Sequence, residues 1–266
     1  MKELLSYGIE KRAPAEQKVN LLRENLQVIM LKHLSDRRAF RNISFVGGTA
    51  LRIIHGLNRF SDDLDFSLAK EKGFDFEKIT KGIEKDLKNS GIPCSLKYGG
   101  KGAVRFALFK FPGLLSEFGA SQLAAENLRV KIEIDIAPPS GWENETALVN
   151  RFYIFQLSVY NLASLFSGKL HACLFRAYTK ARDYYDLMWY LSKNTEPNYR
   201  LLSRAAGQTE KKKIKINRDV LSGMLLKKLK TLDFKAVKKD VSKFLINPSE
   251  AELLSFETFE KLVKGL

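Results

Sequence analysis

The chain has 266 residues, 45% hydrophobic and 28% charged, so it is long enough for one large domain or two modest ones with real cores. We expect a cytoplasmic protein without a membrane span, because the sequence has neither a long apolar run nor a secretory leader. Its two cysteines, Cys94 and Cys173, lie far apart and support neither a disulfide framework nor a zinc site.

Charge is the most informative bulk property. The chain carries 45 Lys and Arg against 30 Asp and Glu residues, a net charge of +15. The segment 200–249 holds 14 basic and 4 acidic side chains, a net +10. This balance favours a polyanionic partner such as nucleic acid. A lysine-rich solvated surface without such a partner is the alternative.

Periodicity predicts the secondary structure in chain order. Spacings near 3.6 residues indicate helices and alternation indicates strands. The expected elements are a helix over 14–37, a strand ISFV, a glycine turn with the short helix TALRIIHGL, a strand DLDFSL, a helix over 74–90, strands over 103–111 and 128–137 after a glycine cluster at 99–102, and helices from about residue 158 onward.

This order predicts an α/β (α+β) fold, with a mixed sheet and flanking helices followed by a C-terminal helical bundle. We expect an α/β domain over residues 1–155 that includes the N-terminal helix. A helical domain over 156–266 follows and carries the basic surface.

The strand DLDFSL places two carboxylates on one face. Side chains alternate along a strand, so Asp63 and Asp65 point the same way while Leu64 and Phe66 point the other way. Two carboxylates this close repel each other unless a cation lies between them. Magnesium, which prefers oxygen ligands, is the expected ion.

A glycine turn precedes this strand. Gly47 and Gly48 allow a sharp turn, and Thr49 is placed to cap the next helix with its hydroxyl facing outward. A helix N-terminus of this kind attracts phosphate, and Arg59 and Ser61 would extend the phosphate site. The alternative is an ordinary turn followed by acids that end a loop.

A third carboxylate would complete a two-metal site. In the strand KIEIDI, Glu133 and Asp135 share the polar face with Lys131. If this strand lies beside residues 63–68, either acid is able to join Asp63 and Asp65. Two metal ions would then stabilise both the attacking and the leaving oxygen of an in-line displacement. A solvent-facing strand would show the same pattern.

Farther along, GKLHACLFRAYTKARDYYDL combines basic and acidic residues at helical spacing. Lys169 and Arg176 fall at helical spacing, so both side chains can project from one face of a helix. Asp183 and Asp186 fit the first turn of the next helix, where acids favour the helix dipole. A solvated or structural role is the alternative for all four.

Together these two blocks resemble the AbiEii and MenT nucleotidyltransferases of the DNA polymerase beta-like superfamily. The block GGTALRIIHGLNRFSDDLDF resembles the family pattern GGTAL followed by R-x-S-x-D-hydrophobic-D-hydrophobic. The block at 168–187 is similar to the family's K-L-x-A, R and RD-x-YDL elements. The resemblance covers roughly residues 40–190 and implies a nucleotidyltransferase-type mixed sheet.

The resemblance also implies residue roles. Gly47, Gly48 and Thr49 would contact nucleotide phosphates; Asp63, Asp65 and Asp135, the last in preference to Glu133, would bind magnesium; Lys169 would neutralise the triphosphate; Arg182, Asp183 and Asp186 match the RD-x-YD element. Many relatives have an acid before the lysine, whereas here Ser167 and Gly168 precede it.

The expected activity is transfer of a nucleoside monophosphate from an NTP to a hydroxyl acceptor with release of pyrophosphate. MenT-type relatives use the tRNA 3′ end, which implies an RNA acceptor, toxicity and a possible antitoxin partner. Two alternatives stay open. One is a nucleotidyltransferase acting on a small molecule such as an antibiotic, and the other is a catalytically silent nucleotide-binding or scaffold module.

Overall fold

The computed structural model describes residues 2–121, 123 and 126–266, and the chain folds into two compact units. Unit 1 comprises the residues up to His55 together with Phe60–Pro138 and Thr146–Val159. Unit 2 comprises Gly56–Arg59, Pro139–Glu145 and Tyr160–Leu266. Each unit is therefore assembled from separate stretches of the chain.

In chain order the elements are α1 (Lys2–Leu5), α2 (Ala15–Asp36), β1 (Ile43–Val46), α3 (Gly47–His55), β2 (Asp63–Leu68), α4 (Phe76–Asn89), β3 (Ser95–Lys101), β4 (Val104–Phe111), α5 (Leu114–Glu117), β5 (Leu128–Asp135), β6 (Asn144–Asn150), β7 (Ile154–Tyr160), α6 (Leu162–Phe175), α7 (Ala181–Ser192), α8 (Tyr199–Glu210), α9 (Arg218–Leu229), α10 (Phe234–Ser242) and α11 (Phe256–Lys264). Two short 3₁₀ turns span Ala39–Arg41 and Pro248–Leu253. No helix in the described part of the chain is long and apolar enough to cross a membrane.

The seven strands form one sheet in the order β3-β4-β5-β2-β1-β7-β6. Strand β2 runs antiparallel to β1 and parallel to β5, and β1 runs parallel to β7. Strand β4 is antiparallel to both β3 and β5. The predicted α/β fold with a mixed sheet is therefore confirmed.

The alternating pattern of β2 and β5 gives the sheet two different faces. Apolar residues of both strands, such as Phe66, Ile132 and Ile134, are buried. Within unit 1, helix α2 packs against strand β5 and against helix α4. The polar residues of the same strands are consequently left on the opposite face of the sheet.

Local capping explains where the helices of unit 2 begin. Each of five helices starts after an Asn, Asp or Ser whose side-chain oxygen accepts a hydrogen bond from the backbone N–H three residues on. These caps are Asn161, Asn198, Asn217, Asp233 and Ser255. A cap of this type contributes about 1 kcal/mol, which fixes the helix boundaries by short-range interactions.

Three strands were not predicted from the periodicity of the sequence. Gly99 and Gly100 lie inside β3 instead of breaking the chain, and a Cβ on Gly99 would stand 2.3 Å from Cζ of Phe106 on β4. Strand β7 continues to Tyr160, past the point where helices were expected to begin. Strand β6 lies at the edge of the sheet and is largely exposed, so its sequence lacks the alternation of a half-buried strand.

Candidate active site

The aspartates of β2 lie beside the polar residues of β5 in unit 1. The parallel register places Asp63 opposite Lys131, and Asp65 opposite Glu133. Directly opposite residues of paired strands point to the same face of the sheet. Three carboxylates and one ammonium therefore converge on the polar face, which we call the acidic face and define as Asp63, Asp65, Lys131 and Glu133.

Strand register makes Glu133 the third carboxylate of this group. Asp135, which the family comparison favoured, lies opposite Ser67, one step beyond Asp65 on the same face. The Oδ1 atom of Asp135 accepts a hydrogen bond from the N–H of Ala137, at 2.9 Å. The geometry thus favours Glu133 over Asp135 as the partner of the aspartate pair.

Lys131 bridges the two strands. Its Nζ is 2.6 Å from Oε2 of Glu133 and 3.7 Å from Oδ2 of Asp63. Partial burial opposes the charged form of Lys131, but the hydrogen bond to Glu133 and the charge of Asp63 outweigh it and raise the pKa of the lysine. The ammonium is therefore a permanent positive charge among the carboxylates at neutral pH.

Gly47 allows the backbone to approach Asp65 closely. Its φ is +80°, a conformation that residues with a side chain rarely adopt. A Cβ on Gly47 would also come within 2.3 Å of Oδ2 of Asp65. Glycine is thus required here both by backbone conformation and by space, and helix α3 begins at this residue.

The hydroxyl of Thr49 faces inward, so the expectation that it faces outward is wrong. Thr49 is fully buried, and its Oγ1 donates a short hydrogen bond to the backbone carbonyl of Asp63. This bond ties α3 to the first residue of β2, and a buried hydroxyl needs such a partner. The carbonyl of Ser61 likewise accepts a hydrogen bond from Nε2 of Gln27, at 2.9 Å.

Unit 2 contains a second charged group, a chain of ion pairs. The guanidinium of Arg59 makes two bonds to the carboxylate of Asp186, at 2.5 and 2.6 Å. Lys169 lies 2.7 Å from both Asp186 and Asp183, and Arg176 lies 2.5 Å from Asp183. These five residues, which we call the ion chain, alternate in charge and carry a net charge of +1.

Burial makes the charge state of each residue in the ion chain depend on its neighbours in the chain. Asp186 is fully buried, which raises its pKa, but the charges of Arg59 and Lys169 outweigh burial and leave the pKa below the ordinary value. Burial lowers the pKa of Lys169, yet Asp186 and Asp183 reverse the effect and raise it. Both groups therefore remain charged at neutral pH only because each has its partners.

In the structure Arg59 belongs to the ion chain. Sequence reasoning took this arginine, just before the aspartates, as an extension of the phosphate site, but only 2% of it is exposed and its guanidinium is bound to Asp186. Arg176 is the more accessible cation of the chain, with 28% of its side chain exposed. Arg182 stacks on Phe244, with its guanidinium carbon 4.1 Å from the ring centroid.

Lys180 is a candidate that sequence reasoning missed. It immediately precedes α7, and burial together with the charge of Arg182 lowers its pKa. Arg176 and Lys169 act in the same direction. Cations crowded in this way are stabilised by a bound anion. In the sequence, the position of Lys180 two residues before Arg182 and four after Arg176 was the feature that could have identified it.

The side chains as they stand do not form a ready metal centre. Within residues 2–121, 123 and 126–266, no three His, Cys, Asp or Glu residues are grouped closely enough to hold an ion. In the acidic face, Lys131 supplies the positive charge between Asp63 and Glu133. The donor set nevertheless consists of carboxylate oxygens, which magnesium prefers.

The chain matches one protein-family model and is similar to solved structures. The model of the family described as nucleotidyl transferase AbiEii toxin, type IV TA system, matches residues 29–263. Among solved structures, the chain is similar to JHP933 from Helicobacter pylori, with 20% identity, a TM-score of 0.53 and coverage of 95% of this chain and 92% of that one. It is also similar to an H. pylori protein provisionally designated a nucleotidyltransferase, with 20% identity, a TM-score of 0.51 and coverage of 92% of each chain. A search of curated proteins found no match.

Proposed function

This chain belongs to the AbiEii family of nucleotidyltransferase toxins of type IV toxin–antitoxin systems, and from this premise we propose that it transfers a nucleoside monophosphate from an NTP to RNA. The acceptor hydroxyl oxygen attacks the α-phosphorus and forms the new P–O bond. The bond from the α-phosphorus to the bridging oxygen breaks, and pyrophosphate leaves. The observation that carries the proposal is that Asp63, Asp65 and Glu133 share one face of the sheet at adjacent register positions.

In this proposal the carboxylates of the acidic face bind the metal ion and accept the proton of the acceptor hydroxyl. Asp63 and Asp65, with Glu133, would hold magnesium, which when bound offsets phosphate charge and lowers the pKa of the attacking hydroxyl. Glu133 orients the acceptor hydroxyl and accepts its proton, and it takes the place of third acid for which the sequence resemblance preferred Asp135. The adjacent Gly47 turn brings the start of α3 next to Asp65, where backbone N–H groups favour a phosphate.

Charge balance suggests how many metal ions the protein binds by itself. Three carboxylates and Lys131 leave the acidic face with two negative charges, which one divalent ion neutralises. Triphosphate oxygens would supply further ligands for the second ion of a two-metal mechanism. We therefore expect one metal ion without nucleotide and two with it.

The ion chain of unit 2 offers positive charge to a phosphate group, and this supports the phosphate-neutralising role that the sequence resemblance implies for Lys169. Its net charge is +1, and Lys180 adds a further cation whose pKa is lowered by burial and by neighbouring cations. Lys169 holds Asp183 and Asp186 and so acts from within the chain, while Arg176 and Lys180 present charge to phosphate. Asp183 and Asp186 keep these cations in place.

The basic surface supports RNA as the acceptor. The segment 200–249 carries a net charge of +10, and Lys211, Lys212, Lys213 and Lys215 are exposed between α8 and α9. Lysines in such a segment neutralise backbone phosphates and release counterions, which stabilises binding of any RNA sequence.

A labelling assay tests the proposal. The protein is incubated with magnesium, total RNA and each NTP labelled at the α-phosphate, and the products are separated by size. We expect label on tRNA-sized species with one or more NTPs and none with the Asp63→Ala variant. Absence of label from all RNA, with wild type and Asp63→Ala alike, would contradict the proposal.

Growth provides the test for the antitoxin partner. Expression of the wild-type chain is expected to arrest growth, whereas Asp63→Ala is not. Co-expression of a cognate antitoxin is expected to restore growth. Equal growth with wild type and Asp63→Ala would contradict toxicity that depends on transfer.

A further inference from the structure

Lys131 lies between carboxylates of two neighbouring strands of the acidic face. Its ammonium contacts oxygens of Asp63 and Glu133, on two neighbouring strands, and Asp65 adds to the same negative field. Its side chain also lies against the ring of Phe106, with 5.9 Å between Nζ and the ring centroid. A divalent ion that uses the same carboxylate oxygens has to compete with this ammonium.

The metal-free protein needs such a cation. Asp65 and Glu133 are directly opposed across the two strands, and Asp63 lies two residues before Asp65. Like charges directly opposite each other destabilise a sheet. Lys131 relieves this repulsion, and 30% of its side chain is exposed, so its flexible stem has room to move away.

We propose that Lys131 is a tethered counter-cation, which holds Glu133 in the metal-free protein, releases it when a divalent ion binds, and thereby sets the metal affinity of the acidic face. This inference rests on the proposed function, because it takes the acidic face as the metal site. It makes Lys131 a positioning residue whose effect is measurable without nucleotide, acceptor or turnover.

Binding of Mn²⁺ alone tests the inference. The affinity is measured by calorimetry or electron paramagnetic resonance for wild type, Lys131→Met and Lys131→Arg, and the melting temperature is measured in EDTA and in magnesium. Lys131→Met is expected to bind Mn²⁺ about tenfold more tightly, because the competing charge is removed. It should also melt lower than wild type in EDTA and gain more from magnesium. Lys131→Arg keeps the charge and should stay close to wild type.

Lys97→Met is the matched control. Lys97 lies opposite Leu108, which lies opposite Lys131, so both lysines point to the same face two strand spacings, about 10 Å, apart. Removing the charge of Lys97 should leave the Mn²⁺ affinity nearly unchanged. A gain as large as that of Lys131→Met would show a general charge effect and would overturn the inference.

Asp63→Asn separates failure of this inference from failure of the proposed function. If wild type binds Mn²⁺ and Asp63→Asn does not, the metal site stands, and equal or weaker binding by Lys131→Met overturns only the counter-cation role. If neither wild type nor Lys131→Met binds Mn²⁺, the metal site and the inference both fail. Binding by Lys131→Met but not by wild type supports the inference in its strongest form.

Discussion

Replacement of Arg59 by Met is expected to be among the most destabilising changes outside the hydrophobic core. Asp186 is fully buried, and Arg59 supplies two of its three short ion-pair contacts. In Arg59→Met the carboxylate loses both of these contacts and keeps the one to Lys169, which also pairs with Asp183. Removing one partner of a buried pair leaves an uncompensated charge and costs about 3–5 kcal/mol.

Urea unfolding followed by circular dichroism measures this cost. The control is Lys238→Met, which removes a lysine that pairs with Glu252 at 2.8 Å where the two side chains are 28% and 77% exposed. Solvent screens such a pair, so the control should lose at most about 1 kcal/mol. The double variant Arg59→Met/Asp186→Leu should recover part of the loss, since it leaves no buried carboxylate short of partners.

The pH dependence follows from the lowered pKa of Asp186. A carboxylate whose pKa is lower in the folded than in the unfolded state contributes stability above the ordinary pKa of about 3.9, and this contribution is lost as the pH falls through the folded value. Arg59→Met weakens the pairing, so its acid unfolding should begin at higher pH than that of wild type. A loss of less than about 1 kcal/mol, with an unchanged acid transition, would refute the reasoning.

Three further predictions concern the acidic face and the basic segment. Glu133→Gln should reduce nucleotide transfer by about 10²–10⁴-fold and Asp135→Asn by much less, and the reverse order in single-turnover rates would return the third-carboxylate role to Asp135. Gly47→Ala should lower the free energy of unfolding by about 1–3 kcal/mol, because its φ is +80° and its Cβ would meet Asp65, while an equally stable and active variant would contradict the close approach. Changing Lys211, Lys212 and Lys213 to Ser should reduce the salt slope of RNA binding by about two to three, and an unchanged slope would remove these lysines from the interface.

The local sequence pattern was sufficient to predict several helices and strands of unit 1. The alternation in DLDFSL fixed both the strand and the shared direction of Asp63 and Asp65, because side-chain direction in a strand depends only on neighbouring residues. The helix over 14–37 was likewise recognisable from its apolar spacing and is observed as Ala15–Asp36. Conformations determined within a few residues are readable from one sequence.

Pairings between distant residues were not readable in this way. Whether Glu133 or Asp135 joins Asp65 depends on the register of two strands about 70 residues apart in the chain, which neither strand determines alone. The pair between Arg59 and Asp186 joins positions 127 residues apart. Arg59 was interpreted as part of the phosphate site because it lies just before the aspartates of β2, whereas its partner Asp186 is far away in the sequence.

The fate of the two ends of the triphosphate tests the central claim most directly. The protein is incubated with magnesium and RNA, and with the same NTP labelled in parallel reactions at the α- or the γ-phosphate. We predict that the α-label enters RNA and the γ-label appears as pyrophosphate, and that Asp63→Ala abolishes both. Transfer of the γ-label to the acceptor, or transfer of the α-label by Asp63→Ala at the wild-type rate, would contradict nucleotidyl transfer at the acidic face.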